Sequence, residues 1–406
     1  MDHKFEALKA LAREAILIPQ EQMEALGTKK KRLFIGIPKE CSFQEHRVAL
    51  IPGAVNLLVN NGHRVVVESE AGKKVNFSDR DYSDAGAQVV YSLKEVYQAD
   101  IILKVAPPSD EEIELMRPKQ TLFSALQLNV QPKDCLKKLM SKGITAVAWE
   151  HIKDESRIYP VVRAMGEIAG NMSIQLAAEY MNNGTTGSAQ LFGGISGVPP
   201  TEVVILGAGT VGEFATRAAL GLGATVKVFD NSIYRLRRLQ NDLGVRLYTS
   251  IIQPDILAEA LKGADVAIGA VRSPYGRTPC IVTEAMVRNM KNGSVIVDIS
   301  IDQGGCFETS EVTTHDNPVF VKYGVTHYAV PNVASRVSRT ASHALSNIFA
   351  PIVLNMGETG GVMDYIKRDP GFRHGIYLYQ GHLTNKVLGE AFSLPHQDLD
   401  LILPAL

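Results

Sequence analysis

The chain has 406 residues, 42 Lys+Arg against 43 Asp+Glu, and a formal net charge of −1 at pH 7. That length is comfortable for two domains, and the balanced charge gives no electrostatic case for nucleic acid or an anionic membrane as partner. Four scattered cysteines (Cys41, Cys135, Cys280, Cys306) without C-x-x-C spacing argue against a zinc site or a disulfide framework, and for reduced thiols in a cytoplasm.

Residues 2–26 read as helix in two pieces, broken at Pro19, with Phe5, Leu8, Leu11 and Ile16 on one face. Asp2, Glu6 and Glu14 make the stretch too acidic for a typical transit peptide, and it lacks the long apolar core of a signal peptide. No uninterrupted apolar run reaches membrane-spanning length. Residues 1–32 thus form a helical extension, fit for an oligomer contact. From Arg32, RLFIGI is a strand, and AVNLLVNNG is a helix stopped at Gly62. HRVVVES, ADIILKV, TLFSALQL and GITAVAWE are further strands, with a helix around Pro132–Lys142 before the last. Strands alternating with helices at this spacing predict a parallel, doubly wound α/β sheet.

Ile158–Asn182 predicts one long helix able to bridge two domains. A second αβ series follows through ADVAIGAV, GSVIVDIS and HYAV, and Ser338–Met356 predicts another long helix. The remainder, to Leu406, reads as helix and loop, too strand-poor to be a domain, and is expected to fold back on the first unit. The division is an extension (1–32), a discontinuous substrate domain (33–160 and 339–406) and a dinucleotide-binding domain (161–338). Both domains are Rossmann-like, joined by the long helices.

The second unit opens with TEVVILGAGTVGEFATRAALGLGATVKVFD, Thr201 to Asp230. Its glycines, Gly207, Gly209 and Gly212, have the G-x-G-x-x-G spacing. They suit a tight turn, a close approach of backbone to pyrophosphate and a close helix–strand contact. The helix N-terminus behind them attracts phosphate. Asp230 closes the next strand, 18 residues past Gly212. A carboxylate there accepts from ribose hydroxyls and repels a 2′-phosphate, which favours NAD over NADP.

Four further residues sit after strands, where α/β sheets bind ligands. Arg47 lies in PKECSFQEHRVALIP and offers a guanidinium fork for a carboxylate; pairing with Glu40 or Glu45 is the structural alternative. His46, its neighbour in an extended segment, should face the other way. Lys104 ends ADIILKV, where a buried ammonium needs an anion or polar ligand, unless it snorkels from a strand edge. Asp302, in DISIDQGGCFE, is a candidate base, or else a turn-stabilising aspartate. Asn332, in YAVPNVASRVSRT, presents an amide to cofactor or substrate, or merely closes the turn after Pro331. Asp298 lies inside its strand and reads as structural.

Together, IGIPKE, HRVALIP, LKVAPP, MGEIAG, VVILGAGTVG and VDISIDQGGCFETS resemble the alanine dehydrogenases, which share a family with the NAD-binding subunit of membrane transhydrogenases. The resemblance implies an NAD-dependent enzyme, typically a homohexamer, that interconverts L-alanine with pyruvate and ammonia. It implies that Arg47, Lys104 and Asn332 bind substrate. It makes Asp302 the active-site aspartate, and Gly207, Ala208, Gly209, Thr210, Val211, Gly212, Asp230, Ser250, Ile299, Asp302 and Asn332 cofactor contacts. Two departures matter. Gln127, in Ala125-Leu126-Gln127-Leu128, replaces the family's catalytic histidine. An amide cannot relay a proton near neutrality, though it can steady a carbonyl oxygen. Gly166 replaces a serine. These changes leave open a dehydrogenase of another amino or 2-oxo acid, or a non-catalytic NAD-binding subunit or sensor.

Overall fold

The computed structural model describes residues 30–42, 44–126, 133–273 and 277–403. The extension expected at 1–32 lies almost wholly outside them. Lys30 to Arg32 are described and are not helical.

Strands β1 (Phe34–Ile37), β2 (Arg64–Glu68), β3 (Gln88–Val90), β4 (Ile101–Leu103), β5 (Thr121–Ser124) and β6 (Thr145–Ala148) pair in parallel. In the second unit, β7 (Glu202–Leu206), β8 (Thr225–Phe229), β9 (Tyr248–Ser250), β10 (Val266–Gly269) and β11 (Val295–Asp298) are parallel; β12 (Val319–Lys322) runs antiparallel to β13 (Val325–Tyr328) at one edge. The chain then returns, and β14 (Ile376–Tyr379) adds antiparallel to β6, with β15 (His382–Leu383) antiparallel to β14 at the edge. The sheet orders are β15-β14-β6-β5-β4-β1-β2-β3 and β12-β13-β11-β10-β7-β8-β9. Inner strands such as β5, β6, β10 and β11 are buried at every residue, as a sheet covered by helices on both faces requires.

Residues after 356 were expected to be helix and loop, and that expectation is corrected by β14 and β15. Their turn is a two-residue hairpin, Gln380-Gly381, with both residues at positive φ (48° and 85°). The same device joins β12 to β13 through Tyr323 (56°) and Gly324 (74°). In each, glycine stands second and tolerates the left-handed backbone. A glutamine or tyrosine in first place hides a signal that asparagine would have made plain.

Four helices position the cleft: α1 (Asp110–Leu115), α2 (Pro160–Met181), α3 (Thr210–Gly221) and α4 (Ser338–Glu358). The start of α2 packs in the first core, through Val161 and Met165. Its later residues, from Ala169 to Met181, pack in the second with Val203, Ile205 and Val297. It crosses between the units because its small residues allow close contact. A Cβ on Gly170 would come within 2.5 Å of the Val211 carbonyl oxygen on α3.

Helix α4 returns the chain to the first unit, where Leu345, Phe349 and Val353 join Ile35, Leu103 and Phe123. A line of serines on it and just before it holds the loop after β1. Ser335, Ser342 and Ser346 hydroxyls accept from the backbone N–H of His46 (2.8 Å), Val48 (2.9 Å) and Ile51 (2.9 Å). Loop backbone buried this deeply must find partners, and serine supplies them where no strand can. Ser346→Ala leaves the Ile51 N–H without its acceptor, and should destabilise the protein by about 1–3 kcal/mol. A urea midpoint equal to that of the unmodified protein would show that the serine is dispensable.

Candidate active site

In each sheet the strand order reverses about one point: between β1 and β4 in the first, between β7 and β10 in the second. Ligand crevices open at such points, beyond the strand ends. Arg47 follows β1 and Lys104 follows β4. The glycine turn follows β7, and Asp302 follows β11.

The glycine turn is built as its spacing requires. Gly207 has φ 103°, and a Cβ there would lie 2.5 Å from the Ala270 carbonyl oxygen. One on Gly212 would lie 1.9 Å from the Gly207 carbonyl oxygen. A Cβ on Gly209 would meet nothing within 4 Å, so the turn faces open space there. Helix α3 starts at Thr210 with no side-chain cap, which leaves first-turn N–H groups for an anion. Asp230 is 7% exposed, and its oxygens accept from Ala208 N (2.8 Å) and Ser232 N (2.7 Å). The carboxylate thus braces the turn. The Ser250 carbonyl accepts from Asp230 N at 3.2 Å, while its hydroxyl donates to the Ile251 carbonyl. Val211 and Ile299 are half-buried against the second core. Position 166 faces Thr210 and Val211, so glycine there leaves room beside the turn. These residues fit a dinucleotide.

Across the cleft, Arg47 is 5% exposed. Its Nε and Nη2 donate to Glu45 at 2.8 and 2.6 Å, and Nη1 faces Met165 Sδ at 3.3 Å. Of the two readings of Arg47, the Glu45 pairing is present. Burial would raise the Glu45 carboxyl, but the Arg47 charge and hydrogen bonds hold it below its ordinary range. Asn332, with φ 56°, donates its amide to Glu45 Oε2 (3.0 Å) and its backbone N–H to Asp302 Oδ1 (2.9 Å). Glu45 therefore joins the two units. Asp302 touches the water of the cleft but is crowded by protein. Crowding raises its carboxyl above the usual aspartate range, against the pull of Asn332 N–H, Arg47 and Arg272. His46 turns away, its ring 5.7 Å from that of His315. Asp298 is structural, accepting from Ser300 N, Cys306 N and the Ser310 hydroxyl.

Lys104 does not snorkel. Its Nζ donates to both Glu112 oxygens at 2.8 Å and lies 3.6 Å from Glu40 Oε2, with all three side chains almost fully buried. Burial favours loss of its proton, but the two carboxylates outweigh that and raise its pKa. Glu112 escaped the sequence reading, although Ser109-x-x-Glu112 is a capping-box pattern: Ser109 caps α1 and Glu112 accepts from Ser109 N at 2.6 Å. Arg272 was also missed, and no motif marks it; Met165 opens the MGEIAG motif but was given no role. Gln127 lies outside the described residues.

Profiles for the alanine dehydrogenase/PNT N-terminal and C-terminal domains match residues 36–169 and 173–386. The chain belongs to the alanine dehydrogenase/PNT family. Alanine dehydrogenase 2 of Staphylococcus aureus is 39% identical over 367 residues, 90% of this chain and 98% of that protein. A solved L-alanine dehydrogenase superposes with a TM-score of 0.83 at 38% identity, covering 88% of this chain and 99% of its own. The transhydrogenase from Sinorhizobium meliloti gives 0.75 at 26% identity, covering 86% and 99%. Both share the two-unit α/β architecture described above. Among the described residues no helix is long and apolar enough to cross a membrane, and no group of three His, Cys, Asp or Glu could hold a metal.

The glycine turn separates two kinds of defect. Gly209→Val fills only open space, so it should leave thermal stability nearly unchanged while weakening NADH on the order of tenfold or more. Gly212→Val should lower stability itself, because its Cβ strikes backbone. Fluorescence titration and melting curves on both variants check this. Full NADH affinity in Gly209→Val would remove the turn from phosphate binding.

Proposed function

We propose that the protein oxidises L-alanine with NAD to pyruvate and ammonia, and runs the reverse amination. What carries this reading is buried Arg47 on one unit brought to Asp302 and Asn332 on the other through the 3.0 Å Glu45–Asn332 bond, with buried Lys104 linked to Arg47 through Glu40, which both cations face. Residues 33–160 with 339–406 form the substrate domain, and 161–338 the cofactor domain. NAD, held by Gly207 to Gly212, Asp230, Ser250 and Ile299, supplies the hydride acceptor when bound.

The substrate carboxylate docks on the Arg47 fork, in exchange for part of its pairing with Glu45. Exchange of one carboxylate for another costs less than stripping a buried guanidinium bare. Lys104 directs its ammonium to the substrate oxygens and polarises them. The Asn332 amide, on its left-handed turn, lines the opposite wall. Hydrolysis of the imine needs a base for the attacking water, and Asp302 is the carboxylate at the mouth of the cleft with a pKa raised toward working pH. The catalytic set is Lys104 and Asp302, with Gln127 added on the sequence pattern alone. The assembly is a cytoplasmic homohexamer. In support, Leu191 and, on the short hairpin just after it, Ile195 and Val198 lie exposed, apolar surface that subunit contact would cover.

Arg47→Lys keeps the charge but loses the fork, so kcat/KM for alanine should fall roughly a hundredfold, with NADH affinity little changed. Normal activity in this variant would remove Arg47 from substrate binding. For Asp302 the sign is fixed by the base role. Alanine oxidation should decline as pH falls through a titration above the ordinary aspartate value of 3.8, because the carboxylate form is the active one. Asp302→Asn should abolish turnover while retaining NADH. A variant that still turns over, with the same pH profile, excludes Asp302 as the base.

A further inference from the structure

One buried titratable group in this site has no step to perform in the mechanism above. Glu40 follows β1 and is 7% exposed. Its Oε1 accepts from Val105 N at 2.5 Å and its Oε2 from Ala106 N at 3.3 Å. Oε2 stands 3.6 Å from Lys104 Nζ, while both short bonds of that ammonium go to Glu112 at 2.8 Å. One cation thus serves two buried carboxylates, and Glu112 has the better share.

With both carboxylates ionised, the cluster carries one net negative charge out of water, which is costly. A proton on Glu40 makes it neutral. Burial is the main influence lifting Glu40, to about 7; Lys104 and Val105 N–H pull it down, and Glu45 and Glu112 push it up. Arg47 also faces it, as a cation. Cys41 and Tyr97, the other titratable neighbours, are both raised above their ordinary values and stay neutral at pH 7. Glu68 is farther along the same cluster, accepting from Lys39 N at 2.7 Å. Glu40 is therefore the member poised between its two forms.

We propose that Glu40 takes up a proton from water when an anionic substrate docks against Lys104, and returns it when the substrate leaves. This rests on the reading that Lys104 receives the substrate. The incoming anion draws on the charge that keeps Glu40 ionised, so binding and protonation are linked. No other bond changes.

The test is calorimetry of pyruvate binding to the NAD-saturated protein, a pair that does not react, in two buffers of equal pH and different ionisation enthalpy. Pyruvate stays ionised throughout, so any proton taken up belongs to the protein. Uptake should be of the order of half a proton per site near pH 7, falling toward zero near pH 5, where Glu40 is already protonated, and again at high pH. Glu40→Gln should abolish it. Asp302→Asn should keep it, which holds the test open even where Glu40→Gln does not fold. Uptake that persists in Glu40→Gln, or vanishes in Asp302→Asn, overturns the proposal. Binding without uptake in the unmodified protein overturns it alone. Absence of pyruvate binding removes the substrate reading and the proposal together.

Discussion

Two cations out of contact with solvent must each be answered by an anion, and the cleft is arranged around that need. Arg47 is answered by Glu45 and Lys104 by Glu112. Leaving either cation unpaired would cost about 3–5 kcal/mol. Both side chains are consequently locked before any substrate arrives: Glu45 by three donors from Arg47 and one from Asn332, Glu112 by Lys104 and the Ser109 backbone. A cation held this way is pre-oriented, and on the proposed reading an arriving carboxylate competes with an internal one rather than with bulk water. Selectivity follows. A neutral ligand cannot take over the internal carboxylate's pairing, so the site resists apolar molecules of the same size.

The same pairing reaches the architecture. Glu45 is shared between Arg47 of one sheet and Asn332 at the end of another, so occupancy of the Arg47 fork and the relation of the two units are not independent. The rest of that boundary is less adjustable. Helix α2 lies in both cores, the Ser335 hydroxyl accepts from His46 N at 2.8 Å, and His315 N donates to Gln44 Oε1 at 3.0 Å. Glu45 itself receives the Asn332 amide at 3.0 Å and the Ser335 hydroxyl at 3.5 Å, and on the proposed reading these are the contacts that a ligand at the Arg47 fork disturbs.

What could be read from the sequence divides along physical lines. Elements with their own periodicity were legible: β7 and β8 flank the glycine turn and helix within Thr201–Asp230, with Asp230 directly after β8, and both long helices came within two residues of their ends. The glycine turn was legible because each glycine answers a local steric demand. The edge hairpins were not, because Gln380-Gly381 and Tyr323-Gly324 carry the required positive φ without the usual asparagine. At the site, residue type singled out Arg47 and Lys104 as cations in apolar settings. Their partners were another matter. Glu45 was foreseen only as an alternative, since it is two residues from Arg47. Glu112 is eight residues past Lys104 in a run with Asp110, Glu111 and Glu114, and only the capping of α1 picks it out of that run. The bond from Asn332 to Glu45 spans 287 positions, and no local pattern carries it.

Cofactor choice illustrates how one residue does both local and chemical work. Asp230 is fastened by Ala208 N and Ser232 N, so its direction is set by the turn that it braces. Accommodating a 2′-phosphate beside it would require a cation to spare. Three arginines are close, and each is already matched: Arg235 lies 3.7 Å from Asp230, Arg217 donates to Glu213 at 3.0 Å, and Arg238 sits between Glu213 and Asp242. Glu213 is itself buried, so its arginines are needed where they are. On the proposed reading, exclusion of a 2′-phosphate is a property of a balanced set of charges, with Asp230 as its foremost member. Neutralising Asp230 alone would free one half-exposed arginine and loosen the turn at Ala208. The gain toward NADP and the loss toward NAD would then come from the same substitution.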